Sequence, residues 1–243
     1  MNLEQIIIKD LTACADAARA EHNLRFFKTG KGEYGEGDIF LGLTLPQMRE
    51  IVKRHRKAAD IKDIKNLLSD KYHEVRLCGL MLLVELFRAA KTEERRKEVY
   101  DFYMANLSGI NNWDLVDLTA YNIPGAFLHG KSHKPLFALA KTKDLWKERI
   151  AIISTMYFIK RGDFETTIKL AEMFLTHKHD LMHKAVGWML RETGKKDIKT
   201  LYAFLDTYAG AMPRTMLRYS LEKLSEDKRK YYMALPRTAG KLK

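Results

Sequence analysis

The stretch that decides the fold is "EVRLCGLMLLVELFRAA", residues 74–90. Its apolar residues recur at intervals of three and four, which is the spacing of an amphipathic α-helix. No proline interrupts the stretch, and it is longer than the roughly four to eight residues of an ordinary strand. It contains charged residues and is shorter than the roughly 18 apolar residues that a membrane span requires. The stretch therefore predicts a long helix in a protein core.

The same spacing of apolar residues continues on both sides of this helix. Short polar connections such as "SGINN" and "GKKD" separate the patterned segments, and the whole chain contains only five prolines. No segment shows a convincing alternation of apolar and polar residues, the pattern of a half-buried strand. The sequence therefore predicts an all-α protein. The further helical segments are 45–57, 94–107, 147–161, 164–177 and 181–193.

A charged residue opens the second, more apolar helix of each predicted pair, and it recurs at steps of about 32 to 41 residues. A period in this range is typical of two-helix repeats, which bury a core only by stacking on their neighbours. We therefore predict an α-α superhelix (solenoid) of HEAT-like or armadillo-type helical repeats. One domain should occupy residues 1–235, followed by a basic, flexible C-terminal tail at 236–243. The opening residues are Arg76, Asp117, Arg149, Lys184 and Arg218.

The charge of the chain indicates a polyanionic partner. It has 43 basic and 31 acidic residues, a net charge of +12 and an isoelectric point near 9.5. A field of this sign attracts nucleic acid first and anionic membrane surfaces second. In a solenoid the five opening residues would line one concave surface, and a row of cations there would follow a phosphate backbone. Alternatively, these cations cap or cross-link neighbouring repeats.

Several classes of protein are excluded by the sequence. Cys14 and Cys78 lie far apart in apolar helical patterns, which indicates buried thiols in a reducing compartment rather than a disulfide or an iron–sulfur site. The N-terminus lacks the apolar length of a signal peptide. His177, His179 and His183 are close in sequence, but no further ligand accompanies them. We expect a cytoplasmic protein, associated with the nucleoid if its partner is DNA, with no metal and no cofactor.

The stretch "NNWDLVD", residues 111–117, contains an acid in an otherwise basic surface. Trp113 and Asp117 are four residues apart and share one face of a helix, whereas Asp114 points elsewhere. With Asn111 or Asn112 as N-cap, Asp114 becomes an ordinary acid of the first turn. A carboxylate beside aromatic rings can stabilise the oxocarbenium-like sugar of N-glycosidic bond cleavage. Alternatively, Asp117 pairs with an arginine and Trp113 belongs to the core.

Four segments of the chain form a recognisable set: "IFLGLTLPQMREIVK" (39–53), "NNWDLVD" (111–117), "WKERIAII" (146–153) and "KAVGWMLRE" (184–192). Together they resemble the AlkD-type DNA alkylation repair glycosylases, a family of HEAT-like repeat DNA glycosylases. They occur in the family's order over roughly residues 24–200. "KAVGWMLRE" is the most specific of them, and "FLGL" with the following proline and arginine is the next.

The resemblance implies a curved superhelix that holds duplex DNA in its concave face. It implies hydrolysis of the N-glycosidic bond of positively charged alkylated purines, such as 3-methyladenine and 7-methylguanine, without base flipping and with an abasic site as product. By motif, Asp117 is the catalytic carboxylate, Trp113 and Trp188 flank the deoxyribose of the lesion, and Arg149 holds the adjacent phosphate. Lys184, Arg76 and Arg218 are further candidate DNA contacts, and we expect a monomer.

The chain departs from the family pattern at two places. Asn112 stands where the family often has a tryptophan, and the glycine-rich segment "TGKGEYGEGD", residues 29–38, is long. We interpret that segment as a flexible connector, because no strand precedes it as a phosphate-binding loop requires. An aromatic residue from this region could grip the lesion, with Phe26, Phe27 and Tyr34 as candidates. The alternative function is a non-catalytic HEAT-like module that binds DNA, including branched or damaged forms, or an acidic protein.

Overall fold

The structure of the protein, a computed structural model, describes residues 2–237. The chain divides into two compact units, Met1–Ile123 and Pro124–Lys243, and each is described by itself. The predicted single domain over residues 1–235 stays a prediction. Of the predicted C-terminal tail, residues 238–243 lie outside the described residues.

The first unit packs its helices around α5, the helix that contains the stretch quoted at the outset. Helices α1, α3, α4, α6 and α7 all contact α5. Every residue of the first two turns of α5 is buried, including charged ones, so this helix forms the centre of the core. The helices are α1 (Leu3–Ala13), α2 (Ala17–Phe26), α3 (Leu45–His55), α4 (Ile61–Leu67), α5 (His73–Ala89), α6 (Glu93–Ala105) and α7 (Trp113–Thr119).

The second unit packs around α13, which contacts the helices α10, α11, α12, α14 and α15. A π-helical turn, Tyr121–Gly125, contains Pro124 and precedes α8. A proline lacks the N–H that an α-helical hydrogen bond needs, so the α-helical ladder is interrupted there. The helices are α8 (Ala126–Leu128), α9 (Lys134–Leu139), α10 (Leu145–Ser154), α11 (Met156–Ile159), α12 (Glu165–Met173), α13 (Asp180–Lys196), α14 (Ile198–Tyr208), α15 (Arg214–Leu221) and α16 (Glu226–Ala234).

The all-α prediction is confirmed. Over residues 2–237 there is no β-strand, only an isolated bridge between Ile39 and Tyr72, and the succession of paired helices is consistent with an α-α helical repeat solenoid. None of the helices in this range is both long enough and apolar enough to cross a membrane.

The register of the predicted repeats is also found in the structure. Asp117, Arg149, Lys184 and Arg218 each occupy the fifth residue of their helices, α7, α10, α13 and α15, whereas Arg76 is the fourth residue of α5. Their exposure differs, however. Arg76 and Arg149 are buried, Asp117 and Lys184 are partly exposed, and Arg218 is exposed. Equivalent positions in the repeats therefore do not have equivalent surroundings.

Candidate active site

Helix α7 carries Trp113 and Asp117 on one face. The helix begins at Trp113 because Asn112 caps it: the Asn112 side-chain oxygen accepts a hydrogen bond from the Trp113 backbone N–H at 2.9 Å. Trp113 and Asp117 are therefore one turn apart, and both are partly exposed. Among the alternatives left open by the sequence, the N-cap is Asn112, and Trp113 is not a fully buried core residue.

Trp113 belongs to a stack of aromatic rings. Its indole lies parallel to the ring of Phe27, with centroids 5.3 Å apart and an interplanar angle of 14°. The ring of Phe26 meets it edge-on at 5.9 Å, and 56% of Phe26 is exposed. Phe27 stacks in turn on the buried ring of Phe40 at 4.9 Å. Of the three candidate aromatic residues in this region, the structure brings Phe26 and Phe27 against Trp113.

A buried histidine packs against this aromatic stack. His73, the first residue of α5, lies 5.0 Å from Phe27 and 4.7 Å from Phe40, ring centroid to ring centroid. Its Nδ1 is 3.0 Å from the carboxylate of Asp38, and its Nε2 is 2.9 Å from that of Asp114. Burial alone would lower the pKa of His73, but the charges and hydrogen bonds of the two acids outweigh it and raise the pKa to about 9. At neutral pH both ring nitrogens therefore donate.

Arg76 completes the surroundings of Asp38. Its guanidinium donates to the Asp38 carboxylate and to the backbone oxygen of Asp70 at 2.9 Å, and the residue is only 6% exposed. Burial would raise the pKa of Asp38, but the hydrogen bond from His73 and the charge of Arg76 hold it below its usual range. The prediction that Arg76 contacts DNA stays a prediction, and its guanidinium would have to give up its bonds to Asp38 and Asp70 to reach a phosphate.

Asn112 also bonds to Asp38. Its side-chain nitrogen donates to the carboxylate at 3.2 Å, and the residue is fully buried. The position at which the family often has a tryptophan is thus part of a polar cluster in this chain, which we call the Asp38 cluster: Asp38, His73, Arg76, Asn112 and Asp114. Asp114 is structural, as expected, since it holds His73.

The segment "FLGL", residues 40–43, is fixed by a second buried acid. The backbone N–H groups of Leu41, Gly42 and Leu43 donate to the Glu74 carboxylate at 2.9, 2.8 and 3.3 Å. Gly42 has a φ of +86°, and a Cβ there would lie 2.1 Å from the backbone oxygen of Asp16. The family-like segment therefore anchors the first turn of α5 and, through Phe40, the aromatic stack.

The interpretation of residues 29–38 as a flexible connector is wrong. Backbone hydrogen bonds close the segment on itself, from Gly35 N–H to the Lys28 oxygen and from Asp38 N–H to the Gly35 oxygen, both at 3.0 Å. A Cβ at Gly35 would lie 2.4 Å from the Phe27 oxygen. The glycine-rich segment therefore folds tightly against the aromatic stack and delivers Asp38 to the core.

In the second unit, Arg149 is buried and donates to the backbone oxygen of Leu181 at 2.6 Å. The adjacent Glu148 pairs with His177 at 2.9 Å.

Burial and the neighbouring charge of His177 lower the pKa of His179. Within residues 2–237, no group of three histidine, cysteine, aspartate or glutamate side chains is placed to hold a metal ion.

Lys184 and Arg218 lie together in the second unit. They line an open depression of ≈ 500 Å³ where α13 packs against α15. Lys184 pairs with Asp180 at 2.8 Å and keeps 40% of its side chain exposed. Trp188 follows Lys184 by one turn of α13 and is partly exposed. The predicted site residues therefore form two groups, Trp113 with Asp117 in one unit, and Lys184, Trp188 and Arg218 in the other.

The Asp38 cluster and the buried Glu74 were not predicted from the sequence. A signal for them existed in "KYHEVR", residues 71–76. His73, Glu74 and Arg76 lie in the first turn of a largely apolar helix, and a helix that is apolar on all sides is buried on all sides. Charged residues are buried only when they are paired, so buried partners should have been expected.

Comparison with known proteins adds a family and a fold. A family model described as "DNA alkylation repair enzyme" matches residues 7–224. A solved structure described as a "Predicted DNA alkylation repair enzyme from Enterococcus faecalis" superposes with a TM-score of 0.69 at 15% sequence identity. The superposition covers 87% of this chain and 97% of that one. A search of curated protein sequences finds no match.

Proposed function

The chain belongs to the family of DNA alkylation repair enzymes, and from this premise we propose that it is a monofunctional DNA glycosylase. It hydrolyses the N-glycosidic bond of positively charged alkylated purines, of the 3-methyladenine and 7-methylguanine type, in duplex DNA. The family supports a role in DNA repair with DNA as the partner. One observation carries the finer proposal: a partly exposed carboxylate, Asp117, follows a partly exposed indole, Trp113, by one helical turn.

The proposed reaction uses the charge that alkylation has already placed on the base. The bond between C1′ and the base nitrogen breaks, and its electron pair neutralises the base, which needs no proton to leave. Asp117 stabilises the positive charge that develops on the sugar. A water molecule attacks C1′, and its proton passes to the Asp117 carboxylate. An abasic site remains, and no covalent enzyme intermediate forms.

Aromatic rings suit a cationic lesion. The face of an aromatic ring attracts a cation, by about 0.5–2 kcal/mol depending on exposure. Trp113 and the exposed Phe26 provide such a surface beside Asp117. Trp188 is the proposed second tryptophan at the deoxyribose. Selectivity for alkylated purines then follows from their charge, since a neutral base gains little from these rings and is a poorer leaving group.

The proposed phosphate contacts lie in the second unit. Lys184 and Arg218 face one open depression and suit a DNA backbone. Arg149 keeps its proposed role from the family motif, and its guanidinium must exchange the Leu181 oxygen for a phosphate to fulfil it. We propose a monomer that needs neither metal nor cofactor and acts in the cytoplasm, associated with the nucleoid during repair.

The products test this function. Methylated duplex DNA is incubated with the protein, and free bases and strand breaks are measured separately. We expect release of 3-methyladenine and 7-methylguanine, and strand breaks only after alkali cleaves the abasic sites. Borohydride should trap no covalent complex. Salt-sensitive DNA binding without base release would instead support the second candidate function, a non-catalytic HEAT-like module for damaged or branched DNA. The net charge of +12 would by itself suit such a module.

A further inference from the structure

A cavity in the first unit, distinct from the Trp113 stack, is lined mainly by cations. It has a volume of ≈ 420 Å³ and lies between α3, α5 and the end of α7. Four basic side chains and a single carboxylate, Glu85, line it, which leaves three uncompensated positive charges. We call it the basic pocket. Its cations are Arg49, Lys53, Arg56 and Arg88.

The cations of the basic pocket differ in how they are held. Arg56 and Arg88 donate to Glu85 at 2.9 and 3.1 Å, so one acid orients both guanidinium groups. Arg49 and Lys53 are four residues apart on α3, share one face of that helix, and are exposed. In the described part of the chain, neither of these two pairs with a carboxylate. They are therefore the cations with charge to give to a ligand.

The basic pocket borders the C-terminal end of α7, the helix that carries the proposed catalytic acid. Leu118, the neighbour of Asp117 in sequence, and Tyr121, one turn beyond Asp117, both line the pocket. A carboxylate repels the phosphates of DNA, so a site that must hold DNA over Asp117 needs cations next to it. The basic pocket supplies them within the same unit.

We propose that the basic pocket binds backbone phosphates of the DNA next to the lesion, with Arg49 and Lys53 as the contacting cations. Cation pairs on one helix face neutralise phosphates without reading bases, so binding there is independent of sequence and of alkylation. The inference rests on DNA as the partner in the proposed function. It adds contacts in the first unit to those proposed from the repeat register.

The salt dependence of DNA binding tests the inference. Affinity for an unmodified duplex is measured against NaCl concentration for wild type and for the double variant Arg49→Ala/Lys53→Ala. Each lost phosphate contact should lower the slope of log affinity against log salt by about 0.9. If two contacts are lost, a fourfold rise in NaCl concentration should reduce the DNA affinity of the variant by a factor about ten times smaller than that of the wild type. The charge-preserving variant Arg49→Lys/Lys53→Arg should keep the wild-type slope.

The matched control removes the same two charges outside the pocket. Arg54→Ala/Lys57→Ala removes one arginine and one lysine from the same helix region, on residues that do not line the pocket, and should keep the wild-type slope. Equal slopes for the two double alanine variants would overturn the proposal. The proposal would also be overturned if the pocket bound only free phosphate. In that case inorganic phosphate would raise the Tm of the wild type but not of Arg49→Ala/Lys53→Ala, and the salt dependence of DNA binding would be the same for both proteins.

Base release separates this inference from the proposed function. At saturating protein, the control variant Arg54→Ala/Lys57→Ala should release methylated bases at the wild-type single-turnover rate, because neither residue lines the basic pocket. If no variant releases a base but the slopes differ as expected, the glycosylase proposal fails and the basic pocket stands. If bases are released but the two double alanine variants have equal slopes, the basic-pocket proposal fails and the glycosylase proposal stands.

Discussion

His73 is a buried side chain that lies between two carboxylates. Its side chain is 2% exposed and bonds to Asp38 and Asp114, while Arg76 compensates the second negative charge. Buried ions are tolerated when every one has a partner. Asp114 follows Trp113 directly, and the ring of Phe27 contacts the rings of both His73 and Trp113, so the buried ion pairs lie directly next to the aromatic stack.

The raised pKa of His73 predicts how stability depends on pH. The folded-state pKa of about 9 lies above the ordinary value of 6.5, so the contribution is fully present below pH 6.5 and is lost as the pH rises through 9. The free energy of unfolding should fall by about 3 kcal/mol over this window. Denaturant titrations at several pH values check this. His73→Gln should remove most of the decline, whereas His22→Gln, on the exposed α2, should retain it; equal declines would contradict the account.

Asn112 shows that a family position can change its role. The side chain caps α7 and donates to Asp38 from a fully buried position. A tryptophan there would remove both hydrogen bonds and could not fit the same space. The aromatic surface of the candidate site is instead supplied by Phe26 and Phe27, which belong to the end of α2 and lie far away in sequence.

At the scale of elements, the segment 40–43 is held by backbone geometry as well as by Glu74. Gly42→Ala should lose stability for two reasons, the positive φ and the contact with the Asp16 oxygen at 2.1 Å. Gly32→Ala is the matched control, because Gly32 has a φ of +78° and nothing within 4 Å of its Cβ position. The control should cost about 1–2 kcal/mol, and Gly42→Ala clearly more. Equal losses in thermal or chemical unfolding would show that the contact relaxes freely.

The helices were predictable from sequence because their causes are local. Apolar spacing, caps such as Asn112 and the shortness of the connections all act over a few residues, and the repeat register placed four of the five opening residues at the same helical position. The Asp38 cluster was not predictable in the same way. Its members come from positions 38, 73, 76, 112 and 114, and only folding brings them together. The glycine-rich segment was misread because its hydrogen bonds are invisible in its composition.

At the scale of the whole molecule, the basic residues fall into two kinds: buried cations that are bonded to the protein, and exposed cations. Arg76 and Arg149 are buried and bonded to the protein, so each can reach a phosphate only by giving up these bonds. Exposed cations such as Arg218, Arg49 and Lys53 remain for a partner. Net charge alone therefore overestimates the number of DNA contacts, and the slope of affinity against salt reports only the second kind.

Base release by Asp117→Asn, with DNA affinity measured on the same protein, decides whether this carboxylate takes part in the reaction. We predict that the single-turnover rate of base release falls by at least about a hundredfold, the usual effect of removing one electrostatic stabiliser of a transition state. Affinity for duplex DNA should be retained or increased, because one negative charge leaves the surface.

The control is Asp101→Asn, which neutralises an exposed acid of α6 paired with Lys97 and should leave release unchanged. A wild-type rate in Asp117→Asn would contradict the account and remove Asp117 from the chemistry. A large loss of base release in Asp117→Asn, with DNA affinity retained, would establish that this carboxylate takes part in bond cleavage and not in DNA binding.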